Sequence, residues 1–161
     1  LRFEESAKFD SRDADAYIAA QVLPVINGTK GGRRREIPIC TSAQTQILRA
    51  AKAYQGSHHS LVPPDMTYAE FRRHCYRIAT ALAIRFHRER HTYACLRYKW
   101  QMGAECPVMA GIPHGDPHHE WLALQLQIHV SEAKERDQAV RAQIAQELGH
   151  NRVEVSNAYL G

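Results

Sequence analysis

Residues 21–40, QVLPVINGTKGGRRREIPIC, restrict the fold more than any other stretch. Two apolar runs flank a turn region that holds Asn27-Gly28 and Gly31-Gly32. Such dipeptides supply the positive φ angles of tight turns, so the pattern reads as a β-hairpin. Pro24 and Pro38 put the strands at an edge or at strand ends, because proline cannot donate to a ladder. β-structure is expected within residues 17–40, in a chain whose remaining signals are helical.

Those signals begin with Thr41 and Gln44, and recur at Thr67 and Glu70. Each pair fits a capping box, which satisfies free amide donors at a helix N-terminus. Ile47, Leu48, Ala51 and Tyr54 follow the first at helical spacing. Phe71, Ile78 and Leu82 follow the second and mark an apolar face, with Cys75 between them. A further helix is expected over about residues 90–102, stopping at Gly103. Residues 103–118, GAECPVMAGIPHGDPH, read as a loop. Residues 121–130 and 137–148 read as helices, with a bend at 131–137 and Gly149 as terminator. The opening LRFEESAKF reads as the end of a helix whose start lies outside the sequence. The expected class is α+β, mainly helical, with a small antiparallel hairpin near the N-terminus and one domain over residues 1–161.

A length of 161 residues, 44% of them hydrophobic, suffices for one buried core. No apolar run reaches membrane-spanning length and no apolar leader opens the sequence, so a cytoplasmic protein is expected. The net charge of +4 and pI near 9.0 suit an anionic partner. Lys30, Arg33, Arg34 and Arg35 form one basic cluster; Arg85, Arg88, Arg90, Arg97 and Lys99 form another. Taken alone, both also fit a solvated surface. Cys40, Cys75, Cys95 and Cys106 form no Cys-x-x-Cys pair, and are expected reduced and buried.

The ten histidines raise the question of a metal. In HGDPHHEW, His114, His118, His119 and Glu120 lie close in sequence, but Gly115 and Pro117 argue against a shared helix face. No metal and no cofactor are expected. His58, His59, His74 and His129 read as surface or satisfied histidines, and Trp100 and Trp121 as packing residues.

Two short segments carry chemistry. In FHRERHTYA, His87, Arg90 and His91 fall where a helix is expected to begin, a place that favours anions. A guanidinium there adds a planar fork that fits two phosphate oxygens. In LGHNRVEVSNAYLG, His150 follows Gly149, and Tyr159 comes nine residues after His150. Each segment alone also fits a plain surface turn.

His-x-x-Arg-His, then Leu-Gly-His, then a tyrosine nine residues on, resembles the tyrosine recombinases, the phage-integrase family. LRFEE resembles that family's first arginine segment, and NGTKGGRRREIPI its β-hairpin with a lysine at the turn. The motifs occur in family order from Arg2 to Tyr159. The resemblance implies that Arg2 and Arg90 clamp the non-bridging oxygens of one DNA phosphate and stabilise its developing charge. It implies Tyr159 as the nucleophile forming a 3′-phosphotyrosine bond, with His87 as base for a phenol of pKa about 10. Lys30 would protonate the departing 5′ oxygen, and His150 would hydrogen-bond the phosphate. Arg33, Arg34, Arg35, Arg88 and His91 would contact DNA.

On this resemblance the chain is the metal- and ATP-independent catalytic domain of a site-specific recombinase that acts on double-stranded DNA in a prokaryotic cell. The intact protein would work as a homo-tetramer; the 161-residue piece would be a monomer or dimer without the family's N-terminal DNA-clamping domain. Three departures stand out: Glu89 where an apolar residue is usual, a long interval from His91 to His150, and the absent clamp. The extra length reads as an insertion over residues 103–137. Two other readings share the site: a type IB topoisomerase-like nicking and resealing enzyme, and an inactive DNA-binding remnant. Presence of all six candidate positions, Arg2, Lys30, His87, Arg90, His150 and Tyr159, favours an active enzyme.

Overall fold

The turn dipeptides do close a hairpin. In the computed structural model, which describes residues 1–161, β1 (Val22–Val25) pairs antiparallel with β2 (Arg35–Pro38), in a register that sets Leu23 against Ile37. Alternation puts Leu23, Val25 and Ile37 inside. Gly28 adopts φ +70°, and a Cβ there would lie 2.7 Å from the Glu4 carbonyl oxygen, so this turn position requires glycine. The hairpin is the only sheet in a mainly helical chain.

The chain divides into two compact units, Leu1–Phe86 and His87–Gly161. The first holds α1 (Phe3–Ala7), α2 (Ala14–Ala20), the hairpin, α3 (Ser42–Gln55) and α4 (Tyr68–Ala81). Residues 17–20, expected as β, belong to α2; alanine at four of its seven positions favours helix. The opening segment is a short helix with its own start: the Glu5 carboxylate accepts the Arg2 backbone N–H at 2.6 Å. Helices α3 and α4 begin as their capping boxes dictate. Thr41 Oγ1 accepts from Gln44 N while Gln44 Oε1 accepts from Thr41 N, and Thr67 and Glu70 repeat the exchange. Buried Gln55 ties α3 to the loop after α1, accepting from the backbone N–H and the hydroxyl of Ser11. Phe3 packs 5.2 Å from both Tyr76 and Phe86. Ile78 of α4 and Leu82 just after it remain exposed, so the apolar face read from their spacing is not a buried one.

The second unit holds most of α5 (Phe86–Met102), then α6 (Pro107–Ala110), α7 (Asp116–Leu126), α8 (Val130–Leu148) and α9 (Asn157–Leu160). Its core gathers Tyr98, Met102, Leu122, Ile144, Leu148 and Leu160. Helix α5 starts at Phe86, four residues earlier than the expected 90, so Arg90 stands in its second turn and not at its N-terminus. The expected loop 103–118 contains α6 and the start of α7. Pro117 sits in the first turn of α7, where its missing N–H breaks no helical hydrogen bond, so it does not oppose a helix there. Helix α8 runs unbroken through 131–137, capped by His129, whose Nδ1 accepts from Ser131 N. Glu147 of α8 holds α5 through Arg97, at 2.7 and 3.0 Å, and through the Tyr93 hydroxyl at 2.7 Å. Cys106 is buried, Cys75 and Cys95 are half-buried, and Cys40 and Trp100 are exposed against expectation.

Candidate active site

Around Tyr159 the second unit brings together residues far apart in sequence. Positions 87, 91 and 95 recur every four residues, so one face of α5 carries His87, His91 and Cys95. The His91 ring centroid lies 4.5 Å from that of Tyr159, His150 at 5.5 Å and His87 at 5.8 Å. The Arg90 guanidinium stands 5.9 Å from the same ring. Arg90 is buried and donates to the Leu148 carbonyl at 2.9 Å, which ties it to the C-terminal end of α8. Gly149 closes that helix in the left-handed region at φ 72°, turning the chain to present His150.

The backbone of Tyr159 is held as firmly as its ring. Cys95 Sγ donates to the Tyr159 carbonyl at 3.6 Å, and His91 hydrogen-bonds the Tyr159 main chain. Arg141 of α8 donates to Asn157 Oδ1 at 2.9 Å and to the Gly161 carbonyl at 3.1 Å. These contacts matter because α9 spans one turn and cannot stand alone. Ser156 does not cap α9 with its side chain; its hydroxyl donates to the Val153 carbonyl instead. Burial lowers the pKa of His91, and the neighbouring charges of His87 and Arg90 act in the same direction. Glu89, one position from Arg90, is exposed.

Of the other candidate residues, all but Arg88 lie in the first unit. Arg2 donates to Glu5 Oε1 at 2.8 Å; Arg35 donates to both Glu5 oxygens, at 3.0 and 2.7 Å. Burial alone would raise the Glu5 pKa, but hydrogen bonds from Arg35 and from the Arg2 backbone hold it at about 2. Lys30 opens the 3₁₀ turn Lys30–Gly32 at the hairpin tip and is exposed, as are Arg33 and Arg34. Arg35 differs from these neighbours: its side chain is only 7% exposed and is engaged with Glu5. Arg88 is exposed on α5.

Sequence reading missed Cys95 and gave His91 only a DNA contact. The four-residue spacing of 87, 91 and 95 contained the signal, hidden by placing the start of α5 too late.

A mainly helical chain with one small antiparallel sheet has the architecture of an integrase catalytic domain. A family model described as integrase matches residues 1–102, and the chain belongs to that family, the phage integrases or tyrosine recombinases. The family makes DNA the partner and gives the chain an integrase-type part in DNA recombination. The match ends at Met102, so His150 and Tyr159 lie beyond it. No curated protein and no solved structure matches the chain. No helix is long and apolar enough to cross a membrane.

Proposed function

We propose that residues 1–161 form the catalytic domain of a site-specific DNA recombinase that cuts and rejoins strands through Tyr159. The observation that carries this reading is the convergence of His87, Arg90, His91 and His150 on the ring of Tyr159. An imidazole and guanidinium surround is what a phenol of ordinary pKa about 10 needs to attack phosphorus at neutral pH.

In the proposed reaction Tyr159 Oη attacks a DNA phosphorus and loses its proton to His87. His91, engaged with the Tyr159 main chain, positions the nucleophile and does not take the proton. The bond to the 5′ oxygen breaks as the new P–O bond forms, and Lys30 delivers a proton to the departing oxygen. Arg90 and Arg2 bind phosphate oxygens and stabilise charge in the five-coordinate transition state, and His150 hydrogen-bonds the same group. The 3′-phosphotyrosine retains the energy of the broken ester, so a free 5′ hydroxyl reverses the step without ATP. Arg33, Arg34 and Arg88, exposed and basic, contact the DNA backbone; Arg35 holds Glu5 and thereby orders Arg2.

A nicked duplex that releases its 5′ fragment traps the covalent step. The chain is expected to form a protein–DNA adduct that Tyr159→Phe abolishes while DNA binding persists. An adduct that survives in Tyr159→Phe overturns the assignment, and an adduct formed equally on any sequence replaces recombination with a topoisomerase-like activity.

A further inference from the structure

A second cluster lies in the same unit, next to Arg141, which also contacts α9. His114 before α7, His119 in α7 and Asp137 in α8 each offer one ligand atom, and these atoms lie within 4.8 Å of one another. We propose that His114, His119 and Asp137 bind one divalent transition-metal ion of the zinc class.

Three observations support the site. First, His119 Nε2 lies 3.4 Å from Asp137 Oδ2. A good N–H···O hydrogen bond is shorter, about 2.7–3.2 Å. Two ligands at roughly 2.0–2.2 Å from one ion in tetrahedral geometry stand about 3.3–3.6 Å apart, and the observed distance fits that edge. Second, His119 is 6% exposed, yet its Nδ1 has no hydrogen-bond partner. The nearest carboxylate oxygen, Asp116 Oδ1, is 3.9 Å away, beyond hydrogen-bond reach. Third, Asp137 is already fixed, with the Tyr98 hydroxyl donating to Oδ1 and Arg141 Nε bonded to both oxygens at 2.9 and 3.0 Å. His114 is exposed, so the cluster meets solvent on its side.

The donor set selects the metal. Two imidazoles and one carboxylate suit zinc, cobalt, nickel or copper, and not magnesium or calcium, which prefer oxygen. Arg141 repels a cation next to Asp137, so affinity is lower than in a closed cysteine-rich site. His118 takes no part, because its Nε2 engages the Glu105 carbonyl. A bound ion would lock the residue 114 loop, α7 and α8 together. Through Arg141, which also grips Asn157 and Gly161, it would stiffen the segment that carries Tyr159.

The test is titration of the chelator-stripped 161-residue chain with cobalt(II) alone. One ion per chain is expected, with visible ligand-field bands of four- or five-coordinate cobalt, bleached by added zinc. Tm should rise by about 5 °C at saturating metal. His114→Ala, which alters an exposed side chain and should fold normally by circular dichroism, is expected to weaken binding roughly tenfold or more, as is His119→Gln. Absence of bands and of a Tm shift overturns the proposal. So does undiminished cobalt binding in His114→Ala, which would assign the ion to other histidines.

Discussion

The two units hold their helices by different means. In the first, α3 and α4 begin at capping boxes whose partners lie three residues apart, and much apolar surface stays outside: Ile47, Tyr54, Ile78, Leu82 and Ile84 are all exposed. In the second, α5 and α8 meet through Arg97, Tyr93 and Glu147, some 50 residues apart, around a continuous buried core. The first unit has long-range ties as well, Gln55 to Ser11 and Lys52 to Asp15, but they leave more apolar surface uncovered. The residues gathered around Tyr159 belong to the second unit.

That contrast is open to test. Ile144→Ala, in the middle of the second unit's core, is expected to cost about 3–4 kcal/mol in urea unfolding, because the cavity adds to the lost transfer energy. A loss under about 1 kcal/mol would mean this core is not what holds the unit. In the first unit a buried electrostatic contribution comes from Glu5. Its folded pKa of about 2 lies below the ordinary 4.5, so the stabilisation is complete above about pH 4.5 and drains away as pH falls toward 2. The difference amounts to roughly 3 kcal/mol. Unfolding measured at pH 6 and pH 3 should show a drop that Glu5→Gln largely removes. At the small end, Ile47→Ser, at a position 68% exposed, should change stability by no more than about 0.5 kcal/mol. A larger loss would reveal that α3 is packed after all.

The same division explains what could be read from the sequence. The hairpin, both capping boxes and the Gly149 stop follow from neighbours within a few residues and were legible. The motif order from Arg2 to Tyr159 pointed to the family that the match over residues 1–102 shows. The start of α5 at Phe86 was not legible, since no cap residue announces it, and the error hid the face shared by His87, His91 and Cys95. The unbroken α8 was missed because its mixed charges over 131–137 read as a bend; the Tyr98 and Arg141 partners that bury the Asp137 carboxylate are set only by tertiary structure. Arg35 looked like Arg33 and Arg34 for the same reason: nothing in the sequence distinguishes the arginine that meets Glu5.

The Glu5 ion pair has one more consequence. A free arginine samples many rotamers, and holding it in one of them on a ligand costs up to about 2 kcal/mol of conformational entropy. Arg2, with one guanidinium nitrogen on Glu5 and only 27% of its side chain exposed, has already given up much of that freedom when the chain folds. In the proposed reaction, a phosphate held by Arg2 would therefore meet a guanidinium already restricted by Glu5, at a lower entropic penalty than the same arginine on an open surface would impose.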